Sequence, residues 1–167
     1  MNPDLRYILE TVFFYAIISW MEEISFRGYI LRNLMDSFNH YGALLVSSLM
    51  FALFHGLNPG LSFLSLFNLF LAGILLGIVF LYTRTIWFAL GLHFSWNFFQ
   101  GPVFGFPVSG ISMDGLVKQQ QVGSELVTGG NFGFEGSLLC SLLLISAIFI
   151  TDRYYNKTIH NTFDKNN

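Results

Sequence analysis

The sequence predicts an all-α protein: a polytopic transmembrane helix bundle of about five spans, interrupted by one long glycine-rich loop. Three observations carry this. Hydrophobic residues make up 53% of the chain and charged residues only 11%, against about 25% charged in a soluble domain. Five apolar stretches, 7–31, 41–57, 62–82, 86–100 and 136–152, reach or approach the ~20 residues that a tilted helix needs to cross a bilayer. The breaks between them hold turn formers or charge: Arg32-Asn33 and Asp36 to Tyr41, Asn58-Pro59-Gly60, and Thr83-Arg84-Thr85.

Taken in order, the first stretch, YILETVFFYAIISWMEEISFRGYIL, reads as buried yet carries Glu22, Glu23 and Arg27. The second carries Phe51 and His55, and the third runs from 62 to 82. The fourth is short and contains His93 and Asn97, so its neighbours are expected to shield it from lipid. Residues 101–135 change character, with eight glycines, Pro102, Pro107, Asp114, Lys118 and Glu125. A loop of that length reads as a lid or a disordered segment, and Phe104 and Phe106 near its start suggest that part of it lies at the interface or dips back. The last stretch holds Cys140, and the tail from Asp152 is hydrophilic.

Composition excludes several classes. A formal net charge of −2 without a basic tract argues against a nucleic-acid partner. Cys140 is the single cysteine, which excludes an internal disulfide and a paired-cysteine zinc site and leaves a packed thiol. The start, MNPDLRYILE, lacks the basic region and cleavage site of a signal peptide. The chain is therefore expected to enter the bilayer through its own spans. With five spans, Arg32, Arg84, Arg153, Lys157 and Lys165 share one side, and Arg6 and Lys118 the other. That bias puts the first group and the C-terminus in the cytoplasm, and the 101–135 loop outside.

Chemistry is expected where ionisable groups interrupt the spans. Each such group at bilayer depth is unfavourable by roughly 2.5–3.5 kcal/mol. Two adjacent carboxylates also repel each other, so at least one needs a partner. Arg27 lies four residues beyond Glu23 and faces it on a helix. Glu22, rotated about 100° away, is left over, and an unpaired carboxylate in such a site suits proton transfer. His93 and Asn97 share the same helical spacing, as do Phe51 and His55. Glu22, His55, His93 and Asn97 together supply a base and three groups able to hold a water or an oxyanion, which suits hydrolysis by an activated water.

Simpler roles exist for each residue alone. Glu23 with Arg27 could be a structural clamp, His55 and Asn97 interhelical hydrogen bonding, and Phe51 core. His40 in a loop and His160 in the tail read as solvated surface. Ser47, Ser48 and Ser95 show no nucleophile pattern. Joint occurrence favours a site: two of the four histidines and the adjacent acids all fall within spans.

The segments EEISFRGYIL, SSLMFALFHG and LHFSWNF resemble the EExxxR, FxxxH and HxxxN signatures of the CAAX protease and bacteriocin-processing family, intramembrane endopeptidases related to type II CAAX prenyl proteases. The resemblance covers roughly residues 10–100, with the motifs in the family's order. It implies a membrane-embedded protease domain over 1–152, followed by a hydrophilic tail at 153–167. It also implies a multi-pass protein of a bacterial plasma membrane, in contact with lipids. Its substrate would be a membrane-associated peptide or protein, with or without a prenyl group. Glu22 would activate water, Glu23 and Arg27 would support it, and His55, His93 and Asn97 would position the water and stabilise the oxyanion. Relatives carry several spans ahead of the EExxxR helix, so the sequence is expected to be a short or partial member.

A divalent metal such as zinc is left open. Glu22, His55 and His93 match a catalytic zinc set in type, although no HExxH pair is present, and a metal-free mechanism accounts for the same residues. The rival class is a non-catalytic membrane scaffold or bacteriocin self-immunity protein. A transporter is disfavoured because no broken-helix inverted repeat is visible.

Overall fold

The computed structural model describes residues 5–164, with side chains described for 6–157. It is 74% helix without strands among the described residues. Five main helices follow the five apolar stretches: α1 (Leu5–Glu23), α2 (His40–Phe54), α3 (Phe63–Thr83), α4 (Ile86–Phe98) and α5 (Leu138–Asp164). Of these, Phe63–Thr83 and Leu138–Lys157 are long and apolar enough to cross a membrane, and His40–Phe54 is apolar but shorter.

Local chemistry fixes the helix ends. Asn39 caps α2 by accepting from the Gly42 N–H at 2.8 Å. Ser62 and Ser65 form a reciprocal capping box at the start of α3, and Thr85 caps α4. Such caps satisfy amides that have no partner within the helix. Helix α3 stops at Arg84, which takes a left-handed conformation with φ 57°.

Two departures from regular α-helix fall at the polar motifs, the first containing Arg27 and the second following Asn97. Helix α1 runs directly into a π-helical segment, Ile24–Leu31, then a last α turn at Arg32–Leu34. Helix α4 likewise runs into a π-helical segment, Phe99–Val103, with Pro102 inside it. Pro102 lacks an amide hydrogen, which removes one rung of the regular ladder there. Wider turns of this kind re-aim side chains and often occur beside functional sites.

Helix α3 is the centre of the bundle, packing against α2, α4 and α5, while α1 lies along α4. Gly73 makes the α2–α3 contact close: a Cβ there would sit 2.9 Å from the Ser48 backbone. Buried Leu71, Leu75, Cys140 and Leu144 join α3 to α5, and the Cys140 thiol is fully buried. The outer faces stay apolar, with Phe13, Leu53, Phe88 and Leu142 all exposed.

Three expectations from the sequence need correction. His40 does not lie in a loop; it begins α2, though its side chain is exposed. The second helix ends at Phe54 rather than 57, because the chain turns at His55 and Gly56. The hydrophilic residues from 153 onward continue α5 as far as Asp164, while the His160 side chain lies outside the described residues. The 101–135 segment contains one helical turn (Glu125–Thr128) and two 3-10 turns. It is tied to the helices by Tyr7 and Tyr15 of α1, which reach Asp114 and Met113.

Candidate active site

The site grows from the buried pair that the EExxxR spacing places on one helix face. The Arg27 Nη1–H donates to Glu23 Oε1 at 2.8 Å, and both side chains are essentially inaccessible to solvent. Arg27 has two further partners: its Nη2–H donates to the Gly73 carbonyl at 3.1 Å, and its guanidinium lies 4.6 Å from the centre of the Phe51 ring. Phe51 is core, as its type suggests, and it also forms the face against which this cation packs. A buried charge is tolerated only when its polar atoms are satisfied, and Arg27 meets that condition through three different helices.

Glu23 has a second role that the spacing did not reveal. Its Oε1 also lies 2.8 Å from His93 Nδ1 on α4. A carboxylate can only accept here, so Nδ1 carries the proton and Nε2 is left as the open ring position. His55 is set the same way. Its Nδ1 lies 2.9 Å from the Phe51 carbonyl. That oxygen is available because the His55 amide bonds Ala52 instead, as the helix ends. A carbonyl also only accepts, so His55 likewise donates through Nδ1 and turns Nε2 to the open side.

Both open nitrogens face Glu22. Its Oε2 lies 3.7 Å from His55 Nε2 and 3.8 Å from His93 Nε2. Those separations are too long for direct hydrogen bonds. Glu22 Oε2 is buried without a hydrogen-bond partner. Glu22 Oε2 and the two imidazole Nε2 atoms thus converge on a gap without bonding one another, a spacing suited to a bridging water. Asn97, one turn beyond His93, lines the same cavity of about 150 Å³, and among the described residues its amide has no hydrogen-bond partner. Glu22, His55, His93 and Asn97 therefore share one cavity, with Glu23 and Arg27 behind His93.

The donor types of Glu22, His55 and His93 suit zinc, and their separations can be compared with those of a zinc site. Ligands held ~2.0–2.2 Å from a tetrahedral zinc sit roughly 3.3–3.5 Å apart, closer than the separations from Glu22. No three His, Cys, Asp or Glu side chains among the described residues are arranged to hold an ion.

Beyond the motifs, the loop closes the cavity. Val108, Ser109 and Ile111 line it together with Glu22. A second cavity of about 160 Å³ lies on the other side of His93 and Asn97, among Leu75, Leu76, Cys140 and Leu144. His55, His93, Asn97 and Ser109 line both cavities, so the polar site adjoins an apolar chamber. Ser47 and Ser48 bond backbone carbonyls and Ser95 faces elsewhere, away from this cluster.

Sequence reasoning missed Glu135, which is buried beside these cavities. Its carboxylate accepts from the Trp96 indole at 3.0 Å and from the Ser109 amide at 2.6 Å. An acid placed directly before an apolar stretch was the available signal. Gly73 and Asn58 were missed as well, since a backbone carbonyl and a loop amide leave no mark in a hydropathy pattern.

The acids, the arginine and the histidines of the three motifs thus converge among the apolar helices of the bundle. The family profile described as Type II CAAX prenyl endopeptidase Rce1-like matches residues 4–99, which include all three motifs. The chain belongs to this family, whose members are integral membrane proteases. No curated protein and no solved structure matches the chain.

Proposed function

We propose that the protein is an intramembrane endopeptidase of the CAAX-protease type, with Glu22 as the base that activates a water. The observation that carries this is the orphaned Glu22 Oε2, aimed between the open Nε2 atoms of His55 and His93. A scaffold gains nothing from a carboxylate oxygen buried without a partner, whereas a general base needs one within reach of a water.

In this mechanism a water lies between Glu22 and the two imidazoles, donating one hydrogen to Oε2 and the other to a ring Nε2. Glu22 takes the proton as the water oxygen attacks the scissile carbonyl carbon. The Asn97 side-chain N–H stabilises the resulting oxyanion. When the C–N bond breaks, Glu22 returns the proton to the leaving amine. Glu23 keeps His93 in the required tautomer, and Arg27 holds Glu23 in place, the same logic by which a buried acid orients a catalytic histidine. No step runs through a metal.

The five helices are proposed to be the membrane spans, with α1 and α4 lengthened by their π-helical continuations and the shorter α2 shielded by its packing on α3. The apolar chamber beside His93 and Asn97 suits a peptide that carries a long hydrocarbon near the scissile bond. The test is cleavage in proteoliposomes of matched peptides with and without a prenyl group. Cleavage of either peptide supports the reading, and a preference for the prenylated one assigns the chamber. Failure to cleave any peptide of both sets contradicts it.

A further inference from the structure

Glu135 is a buried acid outside the three motifs, and the proposed chemistry does not use it. It stands just before α5, yet its carboxylate reaches two elements that frame the site. Its Oε1 accepts from Trp96 Nε1–H at 3.0 Å, and Trp96 lies between His93 and Asn97 on α4. Its Oε2 accepts from both the amide and the hydroxyl of Ser109, at 2.6 and 3.0 Å. Among the described residues no Lys, Arg or His forms a salt bridge with it, so these neutral donors hold the buried carboxylate by themselves.

The grip on Ser109 is close to complete. While Glu135 takes its amide and hydroxyl, Asn58 donates to its carbonyl at 2.9 Å. Ser109 is held at φ 48°, a region that side-chain-bearing residues enter only when their surroundings over-determine them. The next residue, Gly110, is also left-handed, and a side chain there would overlap the Pro59 carbonyl. Glu135 is itself fixed from behind: Asn68 of α3 donates to the carbonyls of Glu135 and Ser137 at 2.7 and 2.9 Å. Ser141 in turn donates to Asn68 at 2.6 Å.

We infer that Glu135 is a positioning residue that latches the Val108–Ile111 strap across the mouth of the Glu22 cavity, tying it to Trp96 of α4. This rests on the proposed hydrolytic reading for its consequence in catalysis, and on geometry alone for its consequence in the strap. Ser109 lines the same cavity as Glu22 and His55, so a substrate that reaches Glu22 meets the strap. A strap held in one position presents that cavity ready-made; a loose one has to be ordered again by each substrate.

The test compares full-length wild type with Glu135→Gln and Glu22→Gln in proteoliposomes, by amide hydrogen exchange and by peptide-cleavage kinetics. A glutamine keeps the shape but replaces one acceptor oxygen with a donor, so it cannot hold both Ser109 and Trp96. Exchange in residues 108–111 should rise by roughly tenfold or more, while exchange in α1 and α3 stays unchanged. KM should rise by about tenfold with kcat within a few-fold, because ordering the strap falls on substrate binding. Unchanged exchange at 108–111 would overturn the latch. A rise spread evenly over all helices, with kcat and KM altered together, would make Glu135 a packing element only and also overturn it. Retained turnover in Glu22→Gln would defeat the hydrolytic reading, while exchange at 108–111 still judges the latch independently. Should Glu135→Gln fail to fold, Ser109→Ala and Trp96→Phe each remove a single donor. Both should then show a smaller rise confined to 108–111, and the absence of any rise overturns the proposal.

Discussion

Replacing Arg27 with alanine tests the physical core of the site. The guanidinium is 1% exposed and its partner Glu23 is fully buried. Alanine would delete the 2.8 Å bond to Glu23, the 3.1 Å bond to the Gly73 carbonyl and the packing over Phe51. Glu23 would then be a buried anion held by the His93 N–H alone. Breaking a buried pair in this way costs about 3–5 kcal/mol, mostly from the uncompensated charge left behind. At roughly 2–4 °C per kcal/mol for a chain of this size, the melting midpoint in detergent should fall by about 6–20 °C. Arg27→Met combined with Glu23→Gln should recover most of that loss, because it removes both charges and the introduced glutamine keeps an oxygen for His93. The assay is thermal unfolding of purified protein, followed by intrinsic fluorescence, for Arg27→Ala, Glu23→Gln and the double variant. If Arg27→Ala melts within about 1 °C of wild type, or the double variant is worse than both singles, the reasoning about the buried pair is wrong.

Other outcomes follow from individual contacts. Gly73→Ala should destabilise by about 1–3 kcal/mol, since its Cβ would meet the Ser48 backbone at 2.9 Å, and it should lower activity by moving the carbonyl that Arg27 holds. Thermal unfolding alongside peptide cleavage reads both effects. Asn97→Ala should lower kcat by roughly 10²–10³ with KM little changed, as expected for a donor that acts on the oxyanion; steady-state kinetics separate the two constants. Exhaustive chelation should leave turnover within a few-fold, and elemental analysis should find well under one metal per chain; a stoichiometric zinc lost in His93→Ala would instead require Lewis-acid activation.

The helices were legible because their ends are written locally. Asn58-Pro59-Gly60 and Thr83-Arg84-Thr85 break the apolar runs, and Ser62 and Thr85 cap the helices that follow. The motif residues were legible for the opposite reason: Glu22, Glu23, Arg27, His93 and Asn97 stand out because a polar group inside an apolar run is costly. Spacing gave the Glu23–Arg27 bond directly. It could not give the bond from His93 to Glu23, which joins residues on different helices. The π-helical segments were hidden too, because Ile24–Leu31 and Phe99–Val103 carry no residue pattern that distinguishes them from α-helix. His55 fits the FxxxH spacing, yet it lies just past the helix end, where the Phe51 carbonyl has lost its usual partner. The 101–135 segment was least legible. Its shape depends on distant partners such as Tyr7, Asn58 and Glu135 rather than on neighbours in sequence.

Whether Glu22 is the base is decided by the turnover of Glu22→Gln, with the folded fraction taken from the same preparation by thermal unfolding and gel filtration. Glutamine preserves the shape of the side chain but cannot take a proton from water. A base at this position requires a melting midpoint close to wild type and a loss of kcat on the order of 10²–10⁴, the range that a general base supplies. Turnover within a few-fold of wild type, in protein that is equally folded, would contradict the assignment.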